Sequence, residues 1–322
     1  MSGRPTNDIW LDYAAAGRKA KFLPNLSAVA AAGQYLWTAS DEVRTIECLA
    51  PRGDGYRLHA QFHLDKLFSG LPGAQAENEA DIEGLDVADG RLWLCGSHSL
   101  TRRSPGNAAA DRVEPKIRKR PSRRLLGAVS LSDDGGAITG SGQALPFRGA
   151  GSLRAVLGRR EHIAPFMELP SKENGLDIEG LTILRRKAYV GLRGPVVDSI
   201  AIVAAVTLRA DFSIDEAGLV LHFVNLDGLG VRDLTRWKDD ILILAGPVNG
   251  ADGPFALRHW RPRRTVRIQT PQLVRAFPPG ADHPEGICAV QRAGAEGVIV
   301  LYDTKTAQRR KGMRYRADWI RL

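Results

Sequence analysis

Cysteine is scarce in this chain of 322 residues, with Cys48, Cys95 and Cys288 as its only three. They are odd in number, far apart and set in apolar runs, which excludes a disulfide framework. No Cys-x-x-Cys pair offers a zinc clip. Long hydrophobic runs are missing too: the longest, Ile200 to Leu208, falls well short of the ~20 residues that cross a bilayer. The first 21 residues contain Asp8 and Asp12 and no apolar stretch of signal-peptide length. These absences predict buried, reduced thiols in a cytoplasmic protein with no membrane partner. A P-loop, a dinucleotide Gly-rich turn, a His-Glu-x-x-His pair and a Gly-x-Ser-x-Gly elbow are all lacking, which excludes the enzyme classes built on those motifs.

The composition, 43% hydrophobic and 25% charged, is that of a globular protein, and the formal charge is +9. That charge is local. Residues 102–124 hold nine Lys/Arg against two acids, and residues 305–322 hold seven against one, leaving a net of −4 for the remainder. Nucleic acid could be drawn to the 102–124 segment, but no aromatics interleave with it. A solvated loop is the favoured reading.

A repeat is present. Leu26-Ser-Ala-Val, Asp81-Ile-Glu-Gly-Leu85, Asp177-Ile-Glu-Gly-Leu181, Gly230-Val-Arg-Asp-Leu234 and His283-Pro-Glu-Gly286 each open a short apolar strand, followed by a turn and a second strand. Aligning Ser27, Glu83, Glu179, Arg232 and Glu285 gives spacings of 56, 96, 53 and 53, close to the roughly 40–50 residues of a four-stranded propeller blade. The long second unit is read as a blade with two insertions, a basic loop at 101–123 and a helical one near 152–161. Its third strand is expected at Arg124–Leu131 and its fourth at His162–Leu169. The last unit lacks a fourth strand, and Asn7 to Tyr13 is expected to supply it. The predicted fold is therefore all-β, a single domain over 1–322: a five-bladed β-propeller of four-stranded antiparallel blades, closed by the N-terminal strand. Six blades or an open β-sandwich are the alternatives.

These motifs, together with Gly96-Ser-His-Ser99, Lys172-Glu-Asn-Gly175, Leu192-Arg-Gly-Pro195 and Ala245-Gly-Pro247, resemble a bacterial family known as domain of unknown function 3616. The Asp-x-Glu-Gly element also resembles the esterase-like domain associated with phytases. The Ser/Glu/Glu/Glu series is similar to calcium-activated nucleotidase (apyrase) propellers, which implies a central Ca²⁺ held by Ser and Glu at the blade starts. Arg232 departs from that pattern.

In a propeller the first strand is innermost, so Ser27, Glu83, Glu179, Arg232 and Glu285 should ring one mouth of the channel. Asp41, Ser97, His98, Arg193, Asn249 and Asp303 form a shell further out. Three carboxylates aimed at one axis need compensation. One solution is a hard cation, Ca²⁺ or Mg²⁺, held by Ser27, Glu83, Glu179 and Glu285. The other is neutralisation by Arg232; a turn-capping role for the motifs is the third reading. The glycines after each Glu, Gly84, Gly180 and Gly286, either allow close backbone approach at the axis or simply start strands. His98 is the candidate base, Arg193 and Arg232 are candidates for stabilising anionic charge, and His283 is a further polar group at the mouth. No organic cofactor is expected. Two functions follow: a metal-dependent phosphoester or ester hydrolase acting on a small anionic substrate, or a non-enzymatic propeller with a Glu/Arg plug that binds a ligand or protein partner at the funnel.

Overall fold

In this computed structural model the chain is described over residues 7–16, 23–73, 79–102, 113–265, 267–280, 282–292, 294–304 and 307–322. The segment 103–112 of the expected basic insertion lies outside them. The fold is all-β and propeller-like. Three sheets have four antiparallel strands each, and a longer sheet runs through Leu26–Ala32, Tyr35–Ser40, Thr45–Arg52, Gly55–His63, Asn7–Asp12, Arg314–Arg321, Ala295–Thr304 and Asp282–Arg292. The two halves are joined in the ladder by a short parallel pairing of Leu11 and Asp12 with Tyr56 and Arg57. Each half is a unit of four strands, and Asn7–Asp12 pairs antiparallel along Arg314–Arg321 to complete the last. No helix among the described residues is long and apolar enough to cross a membrane.

Hydrophobic alternation explains how the units stack. Strands two and three of a unit are buried on both faces, so they read as continuous apolar runs whose odd and even residues serve different neighbours. In Asp240–Gly246, Ile241, Ile243 and Ala245 pack toward the third unit, while Leu242 and Leu244 pack toward the fifth. Ile200–Leu208 divides in the same way: Ala201, Val203 and Ala205 face the fourth unit, and Ile202, Ala204 and Val206 the second. Five apolar clusters result among the described residues, each between consecutive units, including one between the last unit and the first.

The first strands pack against one another in sequence: Leu26–Ala32, Ile82–Ala88, Asp177–Leu184, Gly230–Trp237, Asp282–Arg292 and back to Leu26–Ala32. Each carries a β-bulge, at the register shifts Leu26/Ala28, Ile82/Gly84, Ile178/Gly180, Val231/Asp233 and Pro284/Gly286, and the third pairing has a further shift at Asp177/Ile178 that passes over Arg193 of the second strand. The residues skipped are Ser27, Glu83, Glu179, Arg232 and Glu285. A bulge leaves its extra residue outside the ladder and re-aims the side chain. The glycine that follows is needed for close approach. A Cβ on Gly84 would lie 2.6 Å from that of Leu181, one on Gly180 2.9 Å from Leu234 N, and one on Gly286 2.8 Å from Ser27 O.

One expected strand is absent. His162–Leu169 forms turns and a short 3-10 helix over Ala164–Phe166, and the fourth strand of the second unit is Gln143–Ala144, paired with Gly127 and Ala128. Pro165 removes a ladder donor from the expected segment, which its apolar spacing alone does not reveal. A helix, Leu153–Gly158, is capped by the Ser152 hydroxyl accepting from Ala155 N.

Two predictions follow from the packing. Gly180→Ala should destabilise the fold by about 1–3 kcal/mol through overpacking, whereas Gly151→Ala, whose nearest neighbour would be 3.7 Å away, should change little; urea unfolding compares them. The second concerns Glu47, which is fully buried. Its Oε1 accepts from the Thr45 hydroxyl at 2.7 Å and the Gln61 amide at 2.9 Å, while Oε2 has no hydrogen-bond partner. Burial pushes the carboxyl from 4.5 up to about 7. It therefore binds more protons folded than unfolded, and its contribution to stability is lost as pH rises through this window. Glu47→Gln keeps the acceptor, so the variant should match the parent at pH 4 and exceed it by about 3 kcal/mol at pH 8, read from urea unfolding at both values.

Candidate functional site: a divided polar mouth

The bulged ends of the first strands open into a cavity of about 440 Å³. Ser27, Glu83, Glu179, Arg232 and Glu285 all line it, as do Asp41, Arg193, Asn249 and Asp303. The charges on its wall fall into two halves.

On the third to fifth units, arginines meet the acids. Arg232, buried in the bulge of Gly230–Trp237, reaches Glu179 with Nε at 3.0 Å and Glu285 with its other arm. Arg193, from the second strand of the third unit, pairs with Asp177 and Glu179, both at 2.5 Å. Burial still raises Glu179 to about 8, even though Arg193 and Arg232 pull it down. Burial pulls Arg232 down as well, but Glu179 and Glu285 hold it above the usual guanidinium range.

On the first and second units the acids crowd together. Asp41, Asp81 and Glu83 each offer a carboxylate oxygen within 4.8 Å of the others. Asp81 is the one with counter-charge: Arg123 lies 2.7 Å away and the Ser97 hydroxyl donates to it. Its pKa still rises to about 6, through burial. Glu83 has no ion pair or hydrogen bond among the described residues, and Asp41 Oδ1 is a buried oxygen with no hydrogen-bond partner. Burial, then the neighbouring acids, push Asp41 up to about 8 and Glu83 well above its usual range. Ser27 donates to Ile82 O at 2.5 Å and Ala39 O at 3.4 Å, tying the bulges of the first two units together.

His98 is not on the cavity wall. It is 2% exposed, and burial lowers it to about 3. Its backbone is left-handed at φ 55, Nε2 contacts Leu125 O at 3.2 Å, and Arg154 of the helical insertion donates to its carbonyl at 2.6 Å. The imidazole that does line the cavity is His283, whose Nε2 lies 2.9 Å from Asp252. Sequence reasoning did not single out Asp81, Asp177 or Arg123. The two aspartates had a signal, since each sits two residues before a bulged glutamate in the same motif. Arg123 had none beyond its place in a basic run. The short strands Leu100–Arg102 and Ile117–Lys119 pair beside the mouth, where Arg102 grips Glu173.

The family described as "Protein of unknown function (DUF3616)" matches residues 25–317. The chain belongs to that family. No curated protein matches this DUF3616 chain. Among solved structures it is similar to glutaminyl cyclase from Myxococcus xanthus (10% identity, 99% of this chain and 100% of that one, TM-score 0.45). It is also similar to exo-β-1,3-galactanase from Phanerochaete chrysosporium (11%, 98% and 64%, 0.48) and to the GH43 protein BlXynB from Bacillus licheniformis (11%, 93% and 53%, 0.48). Likenesses of this size assign the DUF3616 chain no substrate and no reaction.

Removing Arg232 would take from Glu285 its ion pair and leave the buried Glu179 with Arg193 alone. Arg232→Met should lower stability by about 3–5 kcal/mol, and adding Glu179→Gln should recover part of the loss; chemical unfolding of the single and double variants checks both.

Proposed function

We propose that the chain is a five-bladed propeller whose mouth holds a divalent cation, Ca²⁺ or Mg²⁺, and hydrolyses a small anionic phosphoester or ester. The observation that carries this reading is the division of the mouth: Asp41, Asp81 and Glu83 converge with a single arginine, while the acids opposite are matched by Arg193 and Arg232. The five apolar clusters between consecutive units support the blade count.

The donor set fits a hard cation. It offers oxygen ligands alone, with no His or Cys among them, and its carboxylates repel one another until a positive charge joins them. Asp41, Asp81 and Glu83 would hold the ion. Ser27 is adjacent on the wall, and Glu179 and Glu285 are engaged by Arg232. Such a cation, when bound, polarises a phosphoryl or carbonyl oxygen as a Lewis acid. Lys172 lines the cavity, exposed and without an ion pair among the described residues, and attracts the anionic group of the substrate. Arg193 and Arg232 keep Asp177, Glu179 and Glu285 from repelling it. His283, held by Asp252, offers the substrate a hydrogen bond, and Phe255 beside it gives one apolar wall.

Calcium or magnesium at a hundredfold excess over Kd should stabilise the protein by about 2.7 kcal/mol, seen as a rise in Tm that EDTA reverses. Glu83→Gln and Asp41→Asn should abolish the rise, and Glu285→Gln should retain it. No shift with either ion, together with no divalent metal by elemental analysis, overturns the reading. Cation binding without turnover of any phosphoester, lactone or carboxylic ester in a substrate panel would instead leave a binding propeller.

A further inference from the structure

Between Asp252 and Asp282 the chain carries six arginines and no acid. Arg258 pairs with Asp227 and Arg261 with Asp240. Arg263, Arg264 and Arg267 are exposed, and neither they nor Arg275 form an ion pair among the described residues. All four lie on or just before the outermost strand of the fourth unit, Gln272–Phe277. That strand pairs antiparallel with Phe255–Trp260 on one side and with no strand on the other among the described residues. The outer strand of the first unit is covered, by contrast, since Asn7–Asp12 pairs alongside Gly55–His63.

An open strand edge invites pairing by another chain, and charged residues on it commonly guard against that. This edge combines its arginines with exposed aliphatics: Ile268 is 56% exposed, Leu273 53% and Val274 40%. A guard needs no such side chains, whereas a docking edge does. A bulge at Val274 interrupts the ladder once, and Arg275 to Phe277 continue it in register.

We propose that this edge docks an extended segment of a partner protein in which acidic and aliphatic residues alternate, added as a further strand beside Gln272–Phe277. Its main chain would pair with the open edge, its aliphatic side chains would cover Leu273, Val274 and Ile268, and its carboxylates would meet Arg263, Arg264, Arg267 and Arg275. A second copy of this chain fits poorly, because it would set the same unpaired arginines against each other. Nucleic acid has no exposed aromatic to stack on here: Trp260 and Phe277 are buried.

Fluorescence anisotropy of the whole protein with a labelled peptide of alternating Glu and Val tests the inference. The expected result is saturable binding that weakens about tenfold or more in the triple variant Arg263→Glu, Arg264→Glu, Arg267→Glu, and likewise in Leu273→Asp. A peptide of the same sequence N-methylated at alternate residues should not bind, because it cannot form the ladder. Circular dichroism and Tm of each variant, expected unchanged at these exposed positions, separate loss of docking from loss of fold. Equal binding of the N-methylated peptide, of poly-Glu or of an oligo-dT strand would overturn strand addition in favour of a plain polyanion surface. No binding of the Glu/Val peptide at millimolar concentration would overturn it altogether.

Discussion

At the mouth end of each innermost strand the ladder takes in one extra residue, and in all five strands that residue is polar. The glycines beside three of these bulges let neighbouring strands approach so closely that a single Cβ would collide. The bulge and the close approach together force side chains that would otherwise spread into solvent toward one narrow space. Three of the five are glutamates, and like charges brought together out of water need an opposite charge nearby or a proton. The electrostatics of the mouth follows from that backbone geometry.

The compensation is uneven. Arg232 occupies a bulge itself and spans two glutamates, while Arg193 comes from a second strand to join Asp177 with Glu179. Across the cavity Asp81 shares Arg123 with Glu79, and Glu83 forms no ion pair among the described residues. Counter-charge is therefore nearly complete on one side and sparse on the other, where burial and mutual repulsion raise Asp41 and Glu83 toward their protonated forms until a cation joins them. Such a gradient suits a ligand that brings its own positive centre to one side and an anionic group to the other.

Much of this was legible in the residues. The repeated start motif and the short apolar runs after it marked the paired strands, and the Asp-x-Glu-Gly element marked the axis-facing positions, because a bulge with a following glycine leaves a compact local signature. His162–Leu169 was read as a strand and is not one, since its apolar spacing outweighed Pro165, while the true fourth strand, Gln143–Ala144, is too short to show a pattern. His98 was misplaced because a residue near a strand end was expected to face the mouth, whereas its left-handed backbone turns it into the interior. Neutralisation of the glutamates by Arg232 was one of the readings the repeat allowed, and Arg232 does reach Glu179 and Glu285. The other pairings could not be read, because Arg123 comes from a 3-10 turn and Arg193 from a second strand, and only the fold brings them to Asp81 and Glu179. The arginine-rich outer edge of the fourth unit escaped notice because its charges are spaced out rather than contiguous.

The clasp between Asn7–Asp12 and Arg314–Arg321 also bears on how the chain is made. The second to fourth units can each form from contiguous sequence as they leave the ribosome. The apolar cluster between the last unit and the first cannot be sealed until Arg314–Arg321 has been synthesised and has captured Asn7–Asp12. Until then Leu26, Val29, Leu36 and their neighbours lack their partner face, so the growing chain carries an open apolar seam. Its closure is a long-range event that follows synthesis of all five units, and it gives assembly of the ring a direction in time that the finished circle no longer reveals.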